Sequence, residues 1–156
     1  GFFVSLLFFV GLVGGCAGST TCSVKIFRYQ IVFASIASQL KRIHSPNGIF
    51  IPRYQGRQIS DDILNSVLTF FVVFFASLGV LAILLSLTGL DLITSLSGAA
   101  AALANIGPGL GETIGPDGNF SSLSETAKWL LIAGMLIGRL ELMAVYILFT
   151  LKFWRN

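Results

Sequence analysis

From Ile63 to Leu87 the chain runs for 25 residues, ILNSVLTFFVVFFASLGVLAILLSL, without one charged side chain. At about 1.5 Å per helical residue, such a run crosses the roughly 30 Å hydrocarbon core of a bilayer with room to tilt. The rest of the chain agrees with that environment. Of its 156 residues 54% are hydrophobic and only 11% are charged, whereas soluble domains carry roughly 25% charged residues. Lipid offers no partner for open backbone groups, so the sequence reads as an all-α integral membrane protein.

Two further apolar stretches flank this one. Gly1 to Ala17 is short for a full crossing and continues, past a break, into Val24 to Leu40. Trp129 to Trp154 is long enough to span but carries Arg139 and Glu141. The sequence opens inside an apolar run with no methionine at position 1 and no charged segment before it. That argues against a signal peptide and predicts that part of a longer protein lies upstream. Between the second and third spans lies LDLITSLSGAAAALAN, Leu90 to Asn105. A helix of that length covers about 24 Å, too little to cross, and a Gly- and Pro-rich segment follows it at once. The pair predicts a pore helix that enters the membrane and returns.

Charge placement orients the chain. Lys25, Arg28, Lys41, Arg42, Arg53 and Arg57 stand against Asp61 and Asp62, while Asp91, Glu112, Asp117 and Glu125 occupy a region with no Lys or Arg. The positive-inside rule then places residues 41–62 and the C-terminus in the cytoplasm, with 89–125 outside. The same rule accounts for the net charge of +3 without any nucleic-acid partner. Within HSPNGIFIPRYQGRQIS, residues 44–60, turn signals flank short β-prone pieces and predict a small cytoplasmic hairpin. Cys16, Cys22 and the single His44 cannot assemble a zinc site of the usual spacing. One histidine likewise leaves no Ser/His/Asp set, so no enzyme is expected.

Three features carry chemistry. In NIGPGLG, Asn105 to Gly111, glycines let successive carbonyls turn toward one axis and replace an ion's hydration shell. A pore helix aimed at the loop brings its partly negative C-terminus, which favours a cation. An ordinary extracellular loop is the plainer alternative. A phosphate loop fits less well, since the Gly-Lys-Ser/Thr ending is missing. The second feature is GLVGGCAGSTTCSVK, Gly11 to Lys25. Its small residues suit either tight helix packing or a broken helix that lines a cavity, and the residues alone favour neither. The third is Arg139, about ten residues into its helix, where an arginine costs about 2.5–3.5 kcal/mol on insertion scales. Glu141 lies on another face. Arg139 therefore needs carbonyls or hydroxyls from another segment, and backbone opened near Gly18 to Ser23 would supply them.

GGCAGST (Gly14 to Thr20), VKIFR (Val24 to Arg28), NIGPGLG, AKWLLIAGMLIGRLE (Ala127 to Glu141) and the ending LFTLKFWRN occur in this order along the chain. Together they resemble the C-terminal part of the bacterial Trk-type potassium uptake proteins, within the Trk/Ktr/HKT superfamily. The resemblance covers essentially the whole chain. It implies a pore of four helix–pore loop–helix repeats, like a potassium channel in one chain, of which this sequence holds one full repeat and the preceding helix. Residues 1–43 would be the second helix of repeat three, with a broken intramembrane loop near 18–24. Residues 44–62 would be a cytoplasmic connection. Residues 63–156 would be repeat four, with a helix at 63–88, a pore helix at 91–104, a filter at 105–111 and a helix at 126–153.

By the same resemblance Ala104, Asn105, Ile106 and Gly107 would line the filter and hold potassium through backbone alone, with no other cofactor. Gly18, Ser19, Thr20, Thr21, Cys22 and Ser23 would form the gating loop below, beside Arg139. The family often has glycines where Thr21, Cys22 and Ser23 stand here, which predicts a stiffer loop. A multi-pass location in the bacterial inner membrane, a homodimer and a cytosolic nucleotide-binding ring protein as regulator are also implied. The expected function is that of a pore-forming subunit of a potassium uptake transporter. Two alternatives remain from the residues: a secondary transporter of another fold with broken helices binding a solute at the midplane, or a non-conducting membrane scaffold.

Overall fold

The structure is a computed structural model that describes residues 2–15, 24–45, 48, 50–140 and 147. Along the described chain run α1 (Phe2–Val13), α2 (Ile26–His44), the strands β1 (Arg53–Tyr54) and β2 (Arg57–Gln58), α3 (Asp61–Leu87), α4 (Leu92–Ala104) and α5 (Glu125–Arg139).

The long helix starts where local chemistry favours a start. Ser60 caps α3, its hydroxyl accepting from Ile63 N at 3.5 Å, and Asp61 and Asp62 sit in the first turn, where the helix dipole stabilises acids. The 27 residues of α3 extend about 40 Å. Among the described residues it is the one helix long and apolar enough to cross a bilayer. Its outward side presents Val72, Phe75, Ile83 and Leu87 as exposed apolar side chains, as a helix bathed in lipid does.

At the far end, Thr88 N and Gly89 N bond back to Leu85 O and Ser86 O and close the helix. Asp91 then caps α4, accepting from Thr94 N at 3.2 Å. The 13 residues of α4 reach about 20 Å. Nine of them are Ala, Gly, Ser or Thr, and Thr94, Ser95 and every residue from Ser97 to Ala104 are buried. A helix this slim admits α3 on one side and α5 on the other. Phe70, Phe74, Leu81 and Leu85 of α3, Ala99, Ala102 and Leu103 of α4, and Ala127 and Leu131 of α5 form one continuous core with Ile114 and Leu123 of the loop between α4 and α5.

The N-terminal helices pack on different members of this unit, α1 on α4 and α2 on α3. Phe8 of α1 packs on Ala100 and Ala101 of α4. In α2, Ile31 packs with Val67 and Ile59, and Tyr29 meets Phe71 edge-on, ring centroids 5.4 Å apart. Between them α1 stops at Val13 and α2 opens at Ile26, yet Ile26 N donates to Gly15 O at 3.1 Å. The chain therefore leaves α1 and enters α2 at adjacent points. The expected hairpin is present: Arg53 pairs with Gln58 and Tyr54 with Arg57, across a two-residue turn at Gln55 and Gly56 with both φ angles positive.

Ala102 is fully buried where α4 meets α5, a Cβ on Gly134 standing 3.4 Å from its own. Ala102→Leu should lower stability by about 1–3 kcal/mol through overpacking. A depressed thermal midpoint of the full-length protein in detergent would show it.

Candidate functional site

The last turn of α4 and the segment after it form the most constrained part of the structure. Asn105 adopts the left-handed conformation, φ 51° and ψ 44°. Its N–H donates to Ala102 O at 3.2 Å, and Ile106 N donates to Ala101 O at 3.0 Å. These are the two bonds of a Schellman closure, which occupies carbonyls that a helix end otherwise leaves open. The accompanying apolar contact is present as well, because Ile106 packs with Ala101, Phe8 and Leu12. Gly11 of α1 lies so near that a Cβ there would stand 3.0 Å from Ile106 Cγ2.

Gly107 follows with φ 113°. A side chain at this position would meet nothing within 4 Å, so glycine is required here by backbone conformation and not by space. Gly107 and Pro108 are exposed, whereas Gly109 is buried again. Beyond the exposed stretch the chain is tied back to α4. Leu110 N donates to Ser97 Oγ at 2.9 Å, and Ser97 Oγ donates to Leu110 O at 3.2 Å. Gly109 N donates to Ile114 O at 2.7 Å, and buried Ile114 fills the space beneath, against Gly98 and Gly109. The backbone from Ile106 to Pro108 is thus held at both ends and open between them.

Helix α5 fixes the same turn from the other side. Ser124 caps it by accepting from Ala127 N at 3.3 Å. Four residues apart, Gly134 and Gly138 face α4. A Cβ on Gly134 would approach Ala102 Cβ and the end of the Leu81 side chain, and one on Gly138 would overlap the carbonyl oxygen of Leu103. Close approach of this kind is what small-xxx-small spacing permits in membrane helices. Asn105 Nδ2 then donates to Met135 O at 3.1 Å, bridging the C-terminal end of α4 to α5.

Charge is arranged along the axis of α4. Asp91 stands at its N-terminus, where the Thr94 hydroxyl and amide hold the carboxyl below its ordinary value of 3.8. The stabilisation from that cap is therefore present above the ordinary value and is lost as pH falls through the lowered one. The opposite pole, at Asn105, carries the partial negative charge of the helix dipole. Among the described residues there is no group of three His, Cys, Asp or Glu side chains able to hold a metal ion.

Of the residues expected at the site, Ala104 is the buried last residue of α4, Asn105 is its left-handed cap, and Ile106 and Gly107 open the exposed stretch. Arg139 ends α5, one residue after the contact of Gly138 with Leu103. Gly18, Ser19, Thr20, Thr21, Cys22 and Ser23 lie outside the described residues. Sequence reasoning missed Ser97, Gly134 and Gly138. The glycine spacing was readable as GMLIG, whereas nothing in the sequence pointed to Ser97, whose partner is thirteen residues away.

This is an all-α membrane fold built around a short buried helix and a constrained loop. The chain belongs to the TrkH family of cation transport proteins, whose family model matches residues 2–155. It is 51% identical over 149 residues to the Trk system potassium uptake protein TrkI of Halomonas elongata, a match covering 96% of this chain and 30% of the relative. It is 37% identical over 151 residues to the Trk system potassium uptake protein TrkH of Escherichia coli K12, covering 97% and 31%. The crystal structure of the potassium transporter TrkH from Vibrio parahaemolyticus matches with a TM-score of 0.87 at 35% identity, over 99% of this chain and 32% of that one. The chain thus spans about a third of the length of the relatives it matches.

The glycine contacts predict an order of severity. Gly138→Ala, which meets backbone, should destabilise by about 1–3 kcal/mol. Gly134→Ala should cost less, because the end of the Leu81 side chain can move. Thermal midpoints of the two variants in the full-length protein would check the ranking.

Proposed function

We infer that this chain forms part of the conduction path of a potassium uptake protein in the bacterial inner membrane, with residues 105–111 as one strand of its filter. One observation carries the reading: a short, largely buried helix ends in a Schellman closure and delivers an open backbone stretch around Gly107, φ 113°, tied down on both sides. Irregular backbone at membrane depth is tolerated where it is buried or lines a watery cavity. The names of the potassium uptake relatives support potassium as the ion.

In this reading the carbonyls of Ala104, Asn105, Ile106 and Gly107 replace part of the hydration shell of a potassium ion, helped by the negative pole of α4. Equivalent strands from three other repeats complete the ring. Repeat four begins with α3 and continues through α4 and α5, while α1 and α2 belong to the repeat before it. The loop from Gly18 to Ser23 and Arg139 gate the path below the filter. The protein moves ions and performs no covalent chemistry. It works as a homodimer under a cytosolic nucleotide-binding ring protein, to which the basic stretch from Lys41 to Arg57 is available.

The test is Gly107→Ala in the full-length protein. A side chain at φ 113° carries strain of about 1–3 kcal/mol, so selectivity for potassium over sodium should fall about tenfold in uptake assays. Unchanged selectivity would remove Gly107 from the filter.

A further inference from the structure

Helix α2 and the segment leading into the hairpin enclose a cavity of about 430 Å³, within the range of ligand sites, about 300–1,000 Å³. One wall is a stripe of α2 in which Ala34, Ala37, Ser38 and Lys41 recur on a single face. The other wall is the segment 50–53, which ends in Arg53 at the start of β1. Hydrogen bonds hold this second wall in place. Ser38 Oγ donates to Phe50 O at 3.0 Å, and Ile59 N donates to Pro52 O at 3.0 Å.

The packing of α2 on α3 fixes the level of the cavity in the membrane. Ile31 packs with Val67 and Tyr29 with Phe71, so the two helices run antiparallel. Lys41 lies ten residues beyond Ile31 and Arg57 ten residues before Val67. Lys41 is therefore level with the chain just ahead of the Ser60 cap, where the bilayer-length helix begins. Arg53 pairs with Gln58 and stands at the same level. Ala34 lies about 10 Å further in along α2. Ile36 and Leu40 of α2 and Ile51 of the second wall are exposed apolar side chains, so an apolar environment reaches almost to Lys41.

The cavity thus changes character with depth, from apolar at Ala34 and Ala37 to cationic at Lys41 and Arg53. No acidic side chain lines it, and among the described residues neither cation is in an ion pair. A guanidinium fork matches two oxygens of a phosphate, and an ammonium adds a point charge beside it. A soluble anion would use the cations and leave the apolar wall bare, whereas a lipid uses both. Basic pockets beside membrane helices take anionic headgroups for this reason.

We propose that this cavity is a binding site for an anionic phospholipid. The phosphate sits between Lys41 and Arg53, and the first part of an acyl chain lies along Ala34, Ala37 and Ile51. Arg42 and Arg57 do not line the cavity and stay available to a cytosolic partner. The site does not depend on the pore reading.

The test uses full-length protein in phosphatidylcholine vesicles doped with a phosphatidylglycerol that carries a photoreactive diazirine near the glycerol end of one acyl chain. Mass spectrometry of the irradiated protein reads the labelling of residues 34–38 and 50–53, with labelling elsewhere on the protein as the internal control. Lys41→Gln and Arg53→Gln should each lower labelling at this site about fivefold, and the double variant about twenty-fivefold. Lys41→Arg should keep the parent value. Ala37→Leu, which narrows the apolar wall and leaves both cations, should lower it as well. A phosphatidylcholine probe with the same diazirine should label the site weakly in every variant, and millimolar inorganic phosphate should leave the phosphatidylglycerol labelling unchanged. If a glutamine variant does not fold, the other one and Ala37→Leu carry the comparison. Equal labelling by the two probes overturns the proposal, as do glutamine variants that label like the parent. Labelling suppressed by inorganic phosphate assigns the cavity to a soluble anion and overturns it too.

Discussion

A helix too short to cross a bilayer must end inside the protein, and the rest of this structure follows from how α4 ends. Lipid cannot satisfy the open carbonyls of a helix terminus. The Schellman bonds from Asn105 and Ile106 to Ala102 and Ala101 occupy two of them. That closure in turn sets the direction in which the chain leaves, so that Gly107 follows with a positive φ and the backbone opens. Asp91 caps the other end of the same helix, and the dipole between them places negative potential beside the open segment.

Everything packed on α4 serves to keep that terminus in place. Its Ala, Gly and Ser side chains let α3 and α5 come close, and Gly138 brings the α5 backbone onto the Leu103 carbonyl. Asn105 bonds to Met135, Ser97 bonds in both directions to Leu110, and α1 leans on Ile106. Small side chains supply proximity and a few polar ones supply register. With so little hydrophobic driving force between helices in lipid, close packing and such bonds have to provide the specificity.

The elements that depend on local pattern were legible in the sequence. The charge-free run announced α3, the length of Leu90 to Asn105 announced a helix that stops part-way, and Gln-Gly between β-prone pieces announced the hairpin. Asn105 to Gly107 was legible as special backbone because glycine and proline punctuate it, although the exact role of Asn105, a left-handed cap bonded to α5, needed coordinates. Ser97 was not legible, since a serine in an alanine-rich helix reads as one more small residue. The seat of Arg28 on Phe70, its guanidinium carbon 3.8 Å from the ring centroid, was hidden because α2 and α3 meet there only in three dimensions.

The central claim is that the backbone around Gly107 faces an ion. Crystals of the full-length protein soaked in thallium or rubidium, which report potassium sites by anomalous scattering, address it most directly. The account predicts an anomalous peak on the pore axis within coordination distance of the carbonyls of residues 104–107. A well-ordered loop with no peak there, and the heavy cations bound elsewhere in the membrane region, would contradict it.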